Sequence, residues 1–141
     1  MRYEKNKNSL KNSFICYLID DDLDDQEIFE MAIRKVDANA DVRLANDGVE
    51  GLQTLRENRT FVPDFIFLDI NMPKMNGLQC LPEIKKLDHL RESKIVMYST
   101  SSDESVKQAT KQLGADGFLV KVPKLSSLVS HLSIILKKGE V

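Results

Sequence analysis

The sequence predicts an α/β fold in which five parallel strands form one sheet with helices on both faces. Three observations predict it. Short apolar runs, residues 14–19 (FICYLI) and 65–68 (FIFL), stop abruptly at aspartates, as strands buried on both faces of a parallel sheet do. Stretches with helical periodicity alternate with those runs, the signature of repeated strand-helix-strand units. Finally, 141 residues without an internal repeat, a low-complexity segment or a linker suit one domain with a sizeable core.

Each element has its own signal. After the strand at 14–19, Ile28, Phe29, Ala32, Ile33 and Val36 recur at helical spacing, with Asp24 or Asp25 placed to cap that helix. Asp41–Ala45 reads as a weaker strand, and Asn46-Asp47-Gly48 as a turn. Val49, Leu52 and Leu55 mark a short second helix. Pro63 precedes the third strand, residues 64–69. A third helix is expected over about 78–87, where Pro82 is tolerable because it falls near the first turn. Lys94–Ser99 is the fourth strand. Val106, Ala109, Thr110 and Leu113 give a fourth helix ended by Gly114. Residues 117–121 form the fifth strand. Leu125, Leu128, Val129, Leu132, Ile135 and Leu136 then make the clearest apolar stripe of the chain.

Composition excludes several classes. The chain is 42% apolar and 30% charged, as in a soluble globular protein. A net charge of −2 offers no general attraction to nucleic acid or to an anionic membrane. No apolar run approaches the roughly 20 residues of a membrane-spanning helix. The run at 14–19 is also shorter than the roughly 7–15 residues of a signal-peptide core. Cys16 and Cys80 lack metal-type spacing and read as buried free thiols. These features predict a cytoplasmic protein that binds neither nucleic acid nor membrane.

The chemistry concentrates where strands end. Asp20, Asp21, Asp22, Asp24 and Asp25 crowd the end of the first strand, and Asp69 ends the third. In open α/β sheets, sites form beyond the carboxyl ends of the strands. Carboxylates brought together there repel one another unless a hard cation joins them. Asp24 and Asp25 are sufficiently explained as acids favouring a helix N-terminus. Asp20 and Asp21 directly follow a buried run and are not. A calcium loop starting at Asp20 is rejected, because it would place Asp25 where glycine is required and Met31 where the bidentate glutamate belongs. Ser99 ends the fourth strand and Lys121 the fifth, adding a hydroxyl and an ammonium to the same rim.

This order of Asp-Asp, Asp, Ser and Lys, with the stretch LDINMPKMNG at 68–77, resembles the response-regulator receiver domain, the phosphoacceptor module of two-component signalling. The similarity runs from about residue 14 to 138. It implies a flavodoxin-like fold with strand order 2-1-3-4-5. Residues 1–13, polar and mildly basic, read as a flexible N-terminal extension, and 14–141 as the receiver domain. With no output domain following, the chain looks most like a stand-alone, chemotaxis-type receiver.

By this resemblance Asp69 accepts a phosphoryl group and catalyses its own loading together with Lys121, which pairs with the phosphate. Asp20, Asp21 and Asp69, with the backbone carbonyl of Asn71, would hold Mg²⁺. Ser99 would bond a phosphoryl oxygen, and Phe118 would turn inward when the site is loaded. The implied partners are a sensor histidine kinase or histidine phosphotransfer protein, and a downstream protein that reads the surface of helix four, strand five and helix five. The chain would be a signalling domain rather than an enzyme acting on other substrates.

Three departures from the family pattern stand out. Val122 separates Lys121 from Pro123, so either the Val122-Pro123 bond is cis or the loop is reshaped and the lysine displaced. Ser99 takes the place of the commoner threonine, and Phe118 lacks a tyrosine hydroxyl. The lysine change is the only sequence support for an alternative, a receiver-like binding module that works without phosphorylation. A phosphohydrolase of the haloacid-dehalogenase type ranks third, since its Asp-x-Asp motif and cap domain have no counterpart. His89 and His131 read as surface or packing residues rather than phosphodonors, and no Walker-type loop points to a nucleotide.

Overall fold

The computed structural model describes residues 13–138. The expected extension over 1–13 therefore lies, apart from Ser13, outside the described residues. Five strands, β1 (Ile15–Ile19), β2 (Asp41–Ala45), β3 (Phe65–Asp69), β4 (Lys94–Ser99) and β5 (Gly117–Val120), alternate with α1 (Leu23–Val36), α2 (Gly48–Glu57), α3 (Gly77–Lys85), α4 (Glu104–Gln112) and α5 (Leu125–Lys138). A short 3-10 turn, Asp88–Leu90, precedes β4. All pairings are parallel and the order is β2-β1-β3-β4-β5. This is the predicted doubly covered sheet, in the order the resemblance implied.

Strand alternation sorts the core into two layers. Tyr17, Ile19, Ile66, Leu68, Ile95 and Met97 meet Leu52 and Leu55 of α2 and Cys80, Leu81 and Ile84 of α3. Cys16, Leu18, Phe67, Val96 and Tyr98 meet Phe29 and Ile33 of α1 and Leu128, Leu132 and Ile135 of α5. Strand β3 is buried along its whole length, which is why its sequence is continuously apolar rather than alternating. Both cysteines are free and buried, as expected. Among the described residues no helix is long and apolar enough to cross a membrane.

Two local expectations are corrected. Asp22, not Asp24 or Asp25, caps α1: its carboxylate accepts from the backbone N–H groups of Asp24 at 2.9 Å and Asp25 at 3.1 Å. A capping residue needs extended backbone, and Asp22 has φ −96° and ψ 114°, whereas Asp24 and Asp25 already lie inside the helix. In α3 the helix starts at Gly77, capped reciprocally by Asn76 and Gln79, so Pro82 sits in its second turn rather than near its first. The missing N–H deprives the Leu78 carbonyl of its helical partner. The helix ends soon afterwards at Lys85, so the disruption falls close to a terminus. Of the alternatives left open for the Lys121-Val122-Pro123 segment, the cis bond is not found: no peptide bond among the described residues is cis.

Candidate functional site

Parallel register brings four strand ends to one rim. Ile19 pairs with Leu68, Asp69 with Tyr98 and Ser99 with Val120, so Asp20, Asp69, Ser99 and Lys121 emerge together. The backbone N–H of Lys121 donates to the Ser99 carbonyl at 2.7 Å, tying the last two together. A pocket of about 380 Å³ opens there, lined by Asp21, Asp22, Asp25, Asp69, Asn71, Thr100 and Lys121. Carboxylate oxygens of Asp20, Asp21 and Asp69 all lie within 4.8 Å of one another. Asp20 is fully buried, and its Oδ1 accepts from the Asp22 N–H at 2.9 Å. Asp69 Oδ1 accepts a longer bond, 3.3 Å, from the Asn71 N–H.

Lys121 binds the rim together. Its Nζ stands 2.8 Å from Asp25 Oδ2, 2.9 Å from Asp20 Oδ2 and 3.5 Å from Asp69 Oδ1, and lies 5.1 Å from the centre of the Tyr98 ring. The lysine is therefore in place despite the intervening Val122, and the displaced-lysine alternative does not hold. The approach to Asp20 Oδ2 is an ion pair, and that buried oxygen has no hydrogen-bond partner.

Electrostatics follow from crowding and burial. Burial, followed by the neighbouring Asp20 charge, pushes the Asp69 carboxyl up to about 7, only partly offset by Lys121. Burial likewise raises Asp20 above the usual carboxylate range. Burial alone would lower the Lys121 ammonium, but Asp25, Asp20 and Asp69 together hold it above its ordinary value. Removing this cation should be costly. Lys121→Met is expected to lose about 2–4 kcal/mol of stability at pH 7, the scale for stranding buried carboxylates, measured by urea unfolding in EDTA. Added Mg²⁺ should stabilise that variant more than the wild type, because the cation no longer shares the carboxylates with an ammonium.

Comparison with known proteins agrees with this geometry. The family profile described as the response regulator receiver domain matches residues 16–133. The chain belongs to this family. Among relatives of the receiver, the chemotaxis protein CheY of Thermotoga maritima is 27% identical over 115 residues, covering 82% of this chain and 94% of CheY. A protein-glutamate methylesterase/protein-glutamine glutaminase of Methanosarcina mazei is 35% identical over 117 residues, 81% of this chain and 31% of that protein. The transcriptional regulatory protein PrrA of Mycobacterium tuberculosis is 32% identical over 121 residues, 86% of this chain and 49% of PrrA. The chain thus spans only a third to a half of several curated relatives. The crystal structure of the phosphorylated cyanobacterial phytochrome response regulator RcpA superposes with a TM-score of 0.79 at 25% identity, covering 92% of this chain and 97% of RcpA.

The receiver's pocket fits a divalent cation on its own chemistry. The converging donors are all oxygens, as a hard cation requires. Asp20 is fully buried, and its Oδ2 has only the Lys121 ammonium against it and no hydrogen-bond partner, which leaves it able to take a cation.

The remaining expected residues lie differently. Ser99 is buried, and its Oγ accepts from the Ser101 N–H at 3.1 Å; the exposed neighbour Thr100 lines the pocket instead. Phe118 is half-buried beside α4, with Lys107 Nζ 5.8 Å from its ring centre. His89 is less polar in setting than its neighbours imply, since both ring nitrogens are buried without partners; His131 is exposed.

Sequence reasoning missed Asp25 and Thr100 as pocket residues. Asp25 was explained by the helix N-terminus alone, although a first-turn residue of α1 must also lie beside the end of β1. That proximity was the available signal.

Proposed function

We propose that the chain is a response regulator in a two-component phosphorelay, in which Asp69 accepts a phosphoryl group from a phosphohistidine of a sensor histidine kinase or a histidine phosphotransfer protein. The observation that carries this reading is the convergence of the Asp20, Asp21 and Asp69 oxygens with Lys121 Nζ only 3.5 Å from Asp69.

Asp69 is a carboxylate nucleophile of the kind that forms aspartyl-phosphates. Asp20, Asp21, Asp69 and the Asn71 backbone carbonyl are the groups that would hold Mg²⁺. When bound, that ion supplies charge stabilisation to the transferring oxygens. Lys121 offers a preorganised positive charge where negative charge accumulates. Ser99 Oγ accepts from the Ser101 N–H and keeps its own O–H free to donate to a phosphoryl oxygen; the 99–101 turn is the moving part in this reading. Space vacated by that turn would admit Phe118, altering the α4-β5-α5 surface that a downstream protein reads.

Similarity to CheY over 94% of its length supports a chemotaxis-type mode of action, and the phosphorylated state of RcpA supports the chemistry. The chain acts in this reading as a cytoplasmic signalling domain whose only reactions are its own phosphorylation and dephosphorylation. The phosphorylation-independent module loses its one support, because Lys121 reaches the carboxylates. The reading is tested by incubating the protein with Mg²⁺ and an acyl phosphate and measuring intact mass. One added phosphoryl group is expected, and it should disappear when EDTA replaces Mg²⁺. An unchanged mass with both the acyl phosphate and phosphorylated kinases would overturn the proposal.

A further inference from the structure

Resting on the phosphoacceptor reading, a further role falls to Asp25. Its carboxylate is the nearest of the three around Lys121 Nζ, at 2.8 Å against 2.9 Å for Asp20 and 3.5 Å for Asp69. It stands outside the group of oxygens that converge on a candidate cation position. Its side chain is also 32% exposed, whereas those of Asp20 and Asp69 are 0% and 6% exposed.

We propose that Asp25 is a positioning residue that competes with the phosphorylated Asp69 side chain for Lys121, and so sets how tightly the loaded state is held. During loading, an Asp69 oxygen forms a bond to phosphorus while the P–N bond of the phosphohistidine donor breaks, its electron pair leaving with the donor imidazole. The acquired phosphoryl group then carries more negative charge than the carboxylate it replaced. To meet it, Lys121 must leave one of its closer partners. Exposure decides which. Water can rehydrate the freed Asp25, whereas the buried Asp20 has no such recourse. Asp25 thereby keeps a negative charge beside the phosphoryl group, opposing it both directly and by drawing on the same ammonium.

The test is calorimetric titration of the full chain with beryllofluoride in Mg²⁺, comparing wild type with Asp25→Asn. The variant is expected to bind about tenfold more tightly at low salt, the scale for removing a like charge from a partly exposed anion site. The gap should narrow at high ionic strength, which a purely structural effect would not do. Asp25→Glu should restore wild-type affinity, and Asp25→Ser should match Asp25→Asn. Equal or weaker binding by both neutral variants at low salt overturns the competition. If the wild type itself forms no acyl-phosphate adduct, the phosphoacceptor reading falls first and this inference with it.

Discussion

Asp69→Asn is expected to take up no phosphoryl group from an acyl phosphate in Mg²⁺, while its metal-free form becomes more stable than the wild type at neutral and alkaline pH. The first effect removes the nucleophile. The second follows from electrostatics. Asp69 titrates at about 7 in the folded chain because burial and Asp20 oppose its ionisation, whereas an unfolded aspartate titrates near ~4. A raised folded value means that this group's contribution is fully present below about pH 4 and is lost as pH rises towards 7. Asparagine has nearly the same shape and carries no charge to repel Asp20. The stability difference between variant and wild type in EDTA should therefore grow from about pH 4 to pH 7 and then level off. A gain of at most about 4 kcal/mol at pH 8 corresponds to a rise from ~4 to about 7. Urea unfolding across pH checks it, and a variant that is less stable than the wild type at pH 8 would contradict the account. Mg²⁺ should erase the advantage, since the ion stabilises only the carboxylate form.

Gly77→Ala is expected to cost about 3 kcal/mol or more of stability and to slow adduct formation at Asp69 by about tenfold. A Cβ at residue 77 would stand 2.5 Å from the Asp69 carbonyl oxygen and 2.8 Å from Ile70 Cα. These are backbone atoms, so no side-chain rotation relieves the overlap. The Gly77 N–H also donates to the Ile70 carbonyl at 2.8 Å, holding the start of α3 against the end of β3. Within the same connection Lys74 adopts a left-handed φ of 68°, so little slack remains for a displaced backbone. Gly114→Ala provides the contrast. Gly114 has φ +101°, but an added Cβ would meet only the flexible end of Lys85 at 3.2 Å. Its expected cost is about 1 kcal/mol, with adduct formation unaffected. Denaturant unfolding and mass-resolved adduct kinetics distinguish the two. Equal behaviour would mean that the Asp69–Gly77 approach is unimportant.

Gly77 also marks where legibility stopped. It closes the stretch LDINMPKMNG, and nothing in that string says that a Cβ at residue 77 would meet the backbone carbonyl of the phosphoacceptor candidate. Local patterns carried the rest of the framework. Apolar runs ending in aspartate predicted β1 and β3, and Gly114 predicted the end of α4. Errors gathered at helix starts. Asp22, Asp24 and Asp25 are chemically identical, so only backbone geometry selects Asp22 as the cap, and Pro82 was misplaced because the helix begins at Gly77, one residue before the expected start.

Strand and helix periodicities are local properties, so the sequence was enough to predict the fold class, and the order of Asp20-Asp21, Asp69, Ser99 and Lys121 carried the resemblance to the family. Only the tertiary structure decided how those side chains divide their charges. Asp25 and Lys121 are 96 positions apart, yet their charged atoms meet at 2.8 Å. Coulombic attraction and desolvation depend on that distance and on burial, and neither quantity is written in the spacing of residues along a chain.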